Sequence, residues 1–306
     1  MTATSGILLV DKPAGITSHD AVARTRKRAG TRKVGHAGTL DPMATGLLVL
    51  GVNSSTRLLT FVVGLDKEYL ATIRLGVSTV TDDREGDEVQ RAQRGAVEAI
   101  SAAQVERGIA ALTGRLEQVP SAVSAIKVDG KRAYALVRAG EAVELRSREV
   151  TVASFELLGS RLVADPTDAD AAHLDLDVRV ACSSGTYIRA LARDLGAALG
   201  VGGHLTALRR TRIGPFLVED AAHLGEMDVA ECLRAPADVA SALFPAVRLE
   251  AQQVIDLTHG KRIRLDDATD GGPVAAIAPD GRLVGLLTVS AGVAKPIVNF
   301  PTDEVT

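Results

Sequence analysis

Apolar positions along this chain recur with two different periods, and the change from one to the other marks its elements. Residues 6–10 form a short apolar run that meets Asp11-Lys12-Pro13-Ala14-Gly15. This reads as a strand ending in a Pro/Gly turn. Thr17 or Ser18 then serves as N-cap for a helix over residues 19–28. In that helix Ala21, Val22 and Thr25 share a face, the opposite face is basic, and Gly30 is the stop. Residues 35–46 are Gly-rich and read as loop, and residues 47–51 as a buried apolar run. Residues 69–75 alternate as a half-buried strand does, and the polar, acidic residues 79–95 read as loop. Ser101 caps a helix whose apolar face is Val105, Ile109 and Leu112, closed by Gly114.

Residues 118–148 mix Lys, Arg, Ser and Gly without a clear period. They read as an extended insertion with a short helix near residues 134–138. Leu174, Leu176, Val178, Val180 and Cys182 then alternate with polar residues, a period-two strand. After a turn at Ser183-Ser184-Gly185, a helix carries Ile188, Leu191, Leu195 and Leu199 on one face and stops at Gly200. Residues 204–213 return as a strand. This irregular alternation predicts an α+β core with a mixed sheet. Composition shifts to Ala/Pro near residues 236–245, and short strands punctuated by Gly follow. Two domains are therefore expected: 1–244, and a small β-rich domain over 245–306.

The chain has 306 residues, of which 46% are hydrophobic and 24% charged, ordinary values for a globular enzyme. Cys182 and Cys232 sit apart in apolar surroundings, so neither a disulfide framework nor a zinc site is expected, and a reducing compartment fits. The start shows no signal peptide, and no stretch approaches the ~20 apolar residues of a membrane span. The net charge of −3 argues by itself against a nucleic-acid partner. Its distribution reverses that reading. Residues 1–60 hold eight Lys/Arg against three Asp/Glu, and residues 204–216 hold three Arg and no acid. Such segregation provides a phosphate footprint within a near-neutral total, although solvated helix faces give the same pattern.

Three segments offer chemistry. In Gly35-His36-Ala37-Gly38-Thr39-Leu40-Asp41-Pro42, small residues admit another backbone closely, and Pro42 keeps Asp41 out of helical geometry. One carboxylate is thereby presented beside a histidine. Tyr187 and Arg189 open a helix whose apolar face is already filled, so an Arg there is available to pair with a carboxylate. Tyr69 starts a strand, where an aromatic ring can stack on a base. Taken alone, these residues equally fit a turn, an exposed helix Arg and a core aromatic. No phosphate-binding glycine motif follows a strand and no His pair has ligand spacing, so neither cofactor nor metal is expected.

In order, these motifs resemble those of the bacterial tRNA pseudouridine-55 synthases, the TruB family. The likeness is carried by residues 11–18, by residues 35–42 with Ala44-Thr45-Gly46, and by Lys67-Glu68-Tyr69. The Thr79, Thr81, Asp83 and Gly86 pattern, Ser124-Ala125-Ile126-Lys127, and Gly130-Lys131-Arg132-Ala133-Tyr134 continue it. Gly185-Thr186-Tyr187-Ile188-Arg189 and Leu208-Arg209-Arg210 complete it. The resemblance implies the pseudouridine-synthase fold, with a mixed, largely antiparallel central sheet and a PUA-like C-terminal domain. It implies Asp41 as catalytic carboxylate, Tyr69 packed on the target base and Arg189 paired with Asp41. His36 would lie near the flipped nucleotide, Tyr187 and Leu208 would wall the site, and Lys12 and Pro13 would lie beside it. It further implies a cytoplasmic monomer acting on the TΨC arm of tRNA, with residues 118–148 clasping the RNA. There are departures: the family's Pro-Pro-x-Tyr-Ser-Ala reads here Pro120-Ser121-Ala122-Val123-Ser124-Ala125, Val80 replaces a common Asp, and the last 60 residues resemble a PUA domain only loosely. An RNA-folding chaperone and a synthase with another RNA target are the competing readings.

Overall fold

The computed structural model describes residues 4–121, 127–128, 131–132, 146–164, 168, 170–265 and 269–300, with backbone alone at 127–128 and 131–132. The elements begin with β1 (Gly6–Lys12), α1 (Ser18–Ala29), β2 (Val34–Ala37), β3 (Thr45–Val52) and α2 (Leu59–Val63). Next come β4 (Lys67–Leu75), β5 (Val77–Thr79), β6 (Glu88–Arg91), α3 (Arg94–Glu98), α4 (Ala102–Ala111) and β7 (Gly114–Gln118). After β8 (Lys127–Val128) and β9 (Lys131–Arg132) the chain runs through β10 (Arg148–Ala164), β11 (Ala172–Cys182), α5 (Ile188–Ala198) and β12 (Gly203–Ile213). Then follow β13 (Phe216–Leu217), β14 (Ala222–His223), α6 (Val229–Cys232), α7 (Pro236–Leu243) and β15 (Ala246–Arg248). The last are α8 (Ala251–Thr258), β16 (Ile263–Arg264), β17 (Gly271–Ile277), β18 (Leu283–Ser290) and β19 (Val293–Asn299).

The chain divides into two compact units. The first comprises residues 1–42, 46–64 and 212–306, the second residues 43–45 and 65–211. In the first unit β1 lies between β14, to which it is parallel, and β3, to which it is antiparallel, and β2 also pairs with β3. Helix α1 covers these strands, burying Ala21 and Val22 against Leu8, Val10, Leu48, Leu50, Leu224 and Val229. Its N-cap is Thr17, and Asp20 completes a capping box, while Gly30 ends it at φ 62, a conformation glycine adopts without steric cost. Residues 246–299 form their own sheet, ordered β15-β17-β18-β19-β16, over a separate core containing Val254, Leu257, Ala276 and Leu287. The small β-rich domain expected at the C-terminal end is present in that form.

In the second unit the strands run β12-β4-β11-β10-β7, with β4, β11, β10 and β7 antiparallel in turn. Strict alternation along β4 puts Lys67, Tyr69, Ala71, Ile73 and Leu75 on its buried face. The polar side of this sheet is paired across strands: Arg74 Nε lies 2.8 Å from Asp175, and Arg161 lies 2.7 Å from Asp177. Helix α5 packs on β4 and α4 on α5. A Cβ on Gly196 of α5 would come within 2.2 Å of the backbone of Gly202 and Gly203, so the helix end sits directly on the start of β12.

Three expectations are corrected, and one strand is added. Residues 35–37 belong to β2 rather than to the Gly-rich loop, because Val34 and Ala37 are buried on an apolar partner strand. Residues 79–95 hold β6, paired with β5, and the start of α3. All four residues of β6 are exposed, so no apolar alternation betrays it. Gly114 does not close α4 but opens β7 at φ +99. The 17-residue β10 was not expected, since half-exposed polar positions break its period. The helix expected near 134–138 lies outside the described residues.

The close approach at Gly196 gives a test. Gly196→Ala is expected to destabilise the protein by about 2–3 kcal/mol, the overpacking range, in urea denaturation. Gly159→Ala, whose Cβ would meet nothing within 4 Å, is expected to change stability by less than about 1 kcal/mol. Equal effects would disprove the contact.

Candidate active site

In the first unit a turn holds a loop. The side chain of Lys12 is fully buried at the end of β1. Its ammonium donates to the carbonyls of Pro13 at 2.9 Å, Ile16 at 2.8 Å and Pro42 at 3.4 Å. A buried ammonium needs such acceptors, since its hydration is lost. Gly15, left-handed at φ 81, donates its N–H to the same Pro42 carbonyl at 2.9 Å. Ser18, the first residue of α1, takes the Leu40 N–H at 2.9 Å and donates to the Leu40 carbonyl at 3.1 Å. The residues on both sides of Asp41 are thus fastened to residues 12–18, while Asp41 itself is only half-buried. The next residue of α1, His19, meets His36 of β2 edge-on, with ring centroids 5.6 Å apart. On the basic side of α1, Arg24, Arg26, Lys27 and Arg28 are all exposed, and Arg26 and Arg28 bind the carbonyls of Val34 and Met227.

In the second unit the start of α5 is the organising feature. Tyr187 is its N-cap residue and has no side-chain capping bond. The side-chain amide of Gln118 substitutes. Its Oε1 accepts the Tyr187 N–H at 2.8 Å, and its Nε2 donates to the Tyr187 carbonyl at 3.1 Å. Arg189 is 5% exposed, so the exposed-helix alternative for it is excluded. It donates to the Thr81 carbonyl at 2.8 Å and lies 3.4 Å from the Asp83 carboxylate. Asp83 is held in turn by the Thr81 hydroxyl at 2.6 Å and the Glu85 N–H at 3.0 Å, and Thr79 binds its carbonyl. A Cβ on Gly86 would come within 2.4 Å of the Thr81 hydroxyl, which accounts for the glycine. Tyr69 is buried on β4 opposite Val180, and Leu208 is buried on β12.

Of the residues expected at the site, the first unit carries Lys12, Pro13, His36 and Asp41, and its turn and loop bring Lys12 and Pro13 to the flank of Asp41. The second carries Tyr69, Tyr187, Arg189 and Leu208. Three residues with clear positioning roles escaped the reading of the sequence. Asp83 was noticed only as part of a spacing pattern, Ser18 only as a possible cap, and Gln118 not at all. Among the described residues no group of His, Cys, Asp and Glu is placed to hold a metal ion, and no helix is long and apolar enough to cross a membrane.

Comparisons with known proteins agree along the whole chain. The model of the TruB family pseudouridylate synthase N-terminal domain matches residues 26–188. Those of the tRNA pseudouridylate synthase B C-terminal domain and the tRNA pseudouridine synthase II C-terminal region match residues 189–246 and 244–301. A tRNA pseudouridine synthase B of Leifsonia xyli is 60% identical over 303 residues, 98% of each chain. One of Thermobifida fusca is 54% identical over 295 residues, 96% of this chain and 98% of that one. Among solved structures, an H/ACA RNP bound to a substrate RNA containing 2′-deoxyuridine has a chain of similar fold. Its TM-score is 0.69 at 24% identity, covering 98% of this chain and 86% of that one. A Cbf5-Nop10-Gar1 complex has a chain with TM-score 0.64 at 26% identity, covering 93% and 78%.

Lys67, at the start of β4, gives the second unit a pH signature. Burial, and then the positive charge of Arg210, lower its ammonium from 10.5 to about 8, against smaller opposing effects of Cys182 and Asp66. Between those values the unfolded chain keeps a proton that the folded chain has lost, so stability rises with pH from about 8 to 10.5. Denaturation midpoints measured across that interval should rise for wild type relative to Lys67→Met. Parallel curves would mean that Lys67 titrates normally.

Proposed function

Because the chain belongs to the TruB family of pseudouridylate synthases, we propose that it converts uridine-55 in the TΨC arm of tRNA to pseudouridine, with Asp41 as the carboxylate that opens the glycosidic bond. The observation that carries this reading is the fastening of the loop around Asp41. Leu40 and Pro42 are both hydrogen-bonded to residues 12–18, which leaves a carboxylate on a rigid mount. Rigid mounting is what a catalytic group needs, because reaction depends on a narrow range of approach. The shared name of the relatives supports tRNA pseudouridine synthesis, and their identity is more than twice that of the RNP-associated chains. That difference favours a tRNA substrate recognised without a guide.

The chemistry needs little else. Cleavage of N1–C1′, rotation of the base and joining of C5 to C1′ conserve every atom except the exchanged C5 proton, so no redox cofactor is required. The carboxylate attacks C1′, or removes the C2′ proton to pass through a glycal. Uracil leaves as a stabilised anion, which explains why a second carboxylic acid of the glycosidase kind is not called for. Before either route, the base must leave the helical stack for a pocket with apolar and aromatic walls. We assign Tyr69 to the base face, Tyr187, Leu208 and His36 to the walls, and Arg189 to orienting Asp41. Lys12 and Pro13 form the mount beside it. The exposed cations of α1 supply phosphate contacts. Residues 1–244 form the catalytic domain in this reading. Residues 245–306, with their own sheet and core, form a PUA-like RNA-binding domain. The protein acts as a monomer in the cytoplasm.

Tritium release from a tRNA transcript labelled at uridine C5 tests the proposal. Wild type is expected to release one tritium per tRNA, mapping to the TΨC loop, without guide RNA. Asp41→Asn is expected to lose activity by about three orders of magnitude or more, as enzymes do on loss of a nucleophile. Arg189→Lys, which replaces a planar fork with a point charge, is expected to lower kcat by about tenfold or more. An active Asp41→Asn would refute the assignment. An inactive wild type that still refolds tRNA would favour the chaperone.

A further inference from the structure

Helix α5 holds the turn at residues 79–83 with two arginines one helical turn apart. Arg189 takes Thr81 and Asp83. Arg193 takes the next carboxylate, Asp82, at 3.3 Å, and extends its other terminal nitrogen to the carbonyl of Val119 at 2.8 Å. Asp82 also accepts a hydrogen bond of 2.5 Å from the hydroxyl of Ser121, which is 0% exposed. The Asp82 backbone is left-handed at φ 58, and its carbonyl receives the Leu205 N–H at 3.0 Å. One residue therefore joins α5 and the segment after β7 through its carboxylate, and the start of β12 through its backbone carbonyl. Three residues before Ser121, Gln118 brackets the Tyr187 backbone at the start of the same helix. Segment 118–121 is thus tied to α5 at both of its ends.

Ser121 stands where the TruB pattern has its second proline. A proline stiffens the chain by fixing φ and has no hydroxyl to donate, so this chain holds the segment by different means. Other groups around Asp82 fit a built cluster rather than a surface contact. Burial raises its carboxyl above the ordinary value, the Ser121 hydrogen bond and the charges of Arg193 and Arg189 draw it back, and Asp194 adds to the rise. Arg193 is itself shared with Asp194 at 2.8 Å.

We propose that Ser121, Asp82 and Arg193 form a clamp that fixes where the chain leaves β7, and that Ser121 and Asp82 are thereby positioning residues for tRNA binding. The proposal rests on the reading of residues 118–148 as the RNA-clasping segment. The clamp sets affinity for tRNA and leaves the chemical step alone, because Arg189 and Asp83 do not depend on Ser121.

Ser121→Ala is expected to raise KM for tRNA by about tenfold, the usual cost of losing a hydrogen bond to a charged partner, with kcat within about twofold of wild type. Ser121→Thr, which keeps the hydroxyl, is expected to retain the wild-type KM. Combined with Asp82→Asn, Ser121→Ala is expected to add less than its separate effect, since both break one contact. In hydrogen exchange followed by mass spectrometry, the amides of residues 118–121 are expected to exchange about tenfold faster in Ser121→Ala, with β4 and β11 unchanged. An unchanged KM, or a fall in kcat at constant KM that follows a lowered Tm, would overturn the clamp as a positioning device. If wild type released no tritium from tRNA, the functional reading would fail. The exchange experiment would still decide the clamp, which unchanged protection at 118–121 would overturn.

Discussion

The first unit depends on burial of one ammonium group. Lys12 ends β1 with no water around it, and a lysine so placed must find acceptors or give up its proton. It finds them in three carbonyls, two from its own turn and one from Pro42, thirty residues on. That requirement couples two segments that share no periodic pattern. Once the turn is folded around the ammonium, Gly15 can reach Pro42 and Ser18 can reach Leu40, and the loop has few remaining conformations. Asp41, half-buried on that loop, is flanked on both sides by these fastened neighbours. A buried polar network fully supplied with partners is rigid for this reason, and a partly supplied one would be costly.

How far the sequence discloses this follows from which forces leave a pattern. Strands β4 and β11 and helices α1, α4 and α5 were legible because burial of a face repeats every two or about 3.6 residues, and β1 and β3 as apolar runs buried on both faces. Strand β6 is a backbone pairing of four exposed residues, and β10 mixes exposed and half-buried positions, so neither writes a period. Asp41, Tyr69 and Arg189 were legible as residue types in special places, and the resemblance to a family gave them roles. Asp83, Ser18 and Gln118 were not. Each acts through a single hydrogen bond or bracket to a residue distant in sequence, and polar contacts of that kind follow no spacing rule. The burial of Arg189 was hidden for the same reason, since it depends on partners in the 79–86 turn.

Charge obeys the same logic on a larger scale. The net charge of −3 hides a basic first sixty residues, and the structure divides those cations into two groups. Arg26 and Arg28 donate to carbonyls that fasten α1 to β2 and to residue 227, although they are exposed, as Arg24 and Lys27 are. Counting basic residues therefore overstates the surface open to phosphate. What remains is enough to give a local potential, and screening confines its reach to about one Debye length, ~8–10 Å in cellular salt.

Helix α5 shows how one element can serve two tasks without mixing them. Residues four apart on a helix lie on one face, so Arg189 and Arg193 address the same turn from the same side. The first bonds Asp83 and Thr81, the second Asp82 and Val119. Adjacent carboxylates of a left-handed turn diverge, which lets each arginine take its own partner. The helix cannot slide toward either, because Gly196 rests on the backbone of Gly202 and Gly203 with no space for a methyl group. Its register is set by that contact, its start by the Gln118 bracket, and the two guanidinium groups are carried at a fixed separation between them. A buried arginine and a chain exit held on one such helix can be altered separately by substitution. A family pattern can therefore lose a proline at residue 121 and still keep the arrangement around Arg189.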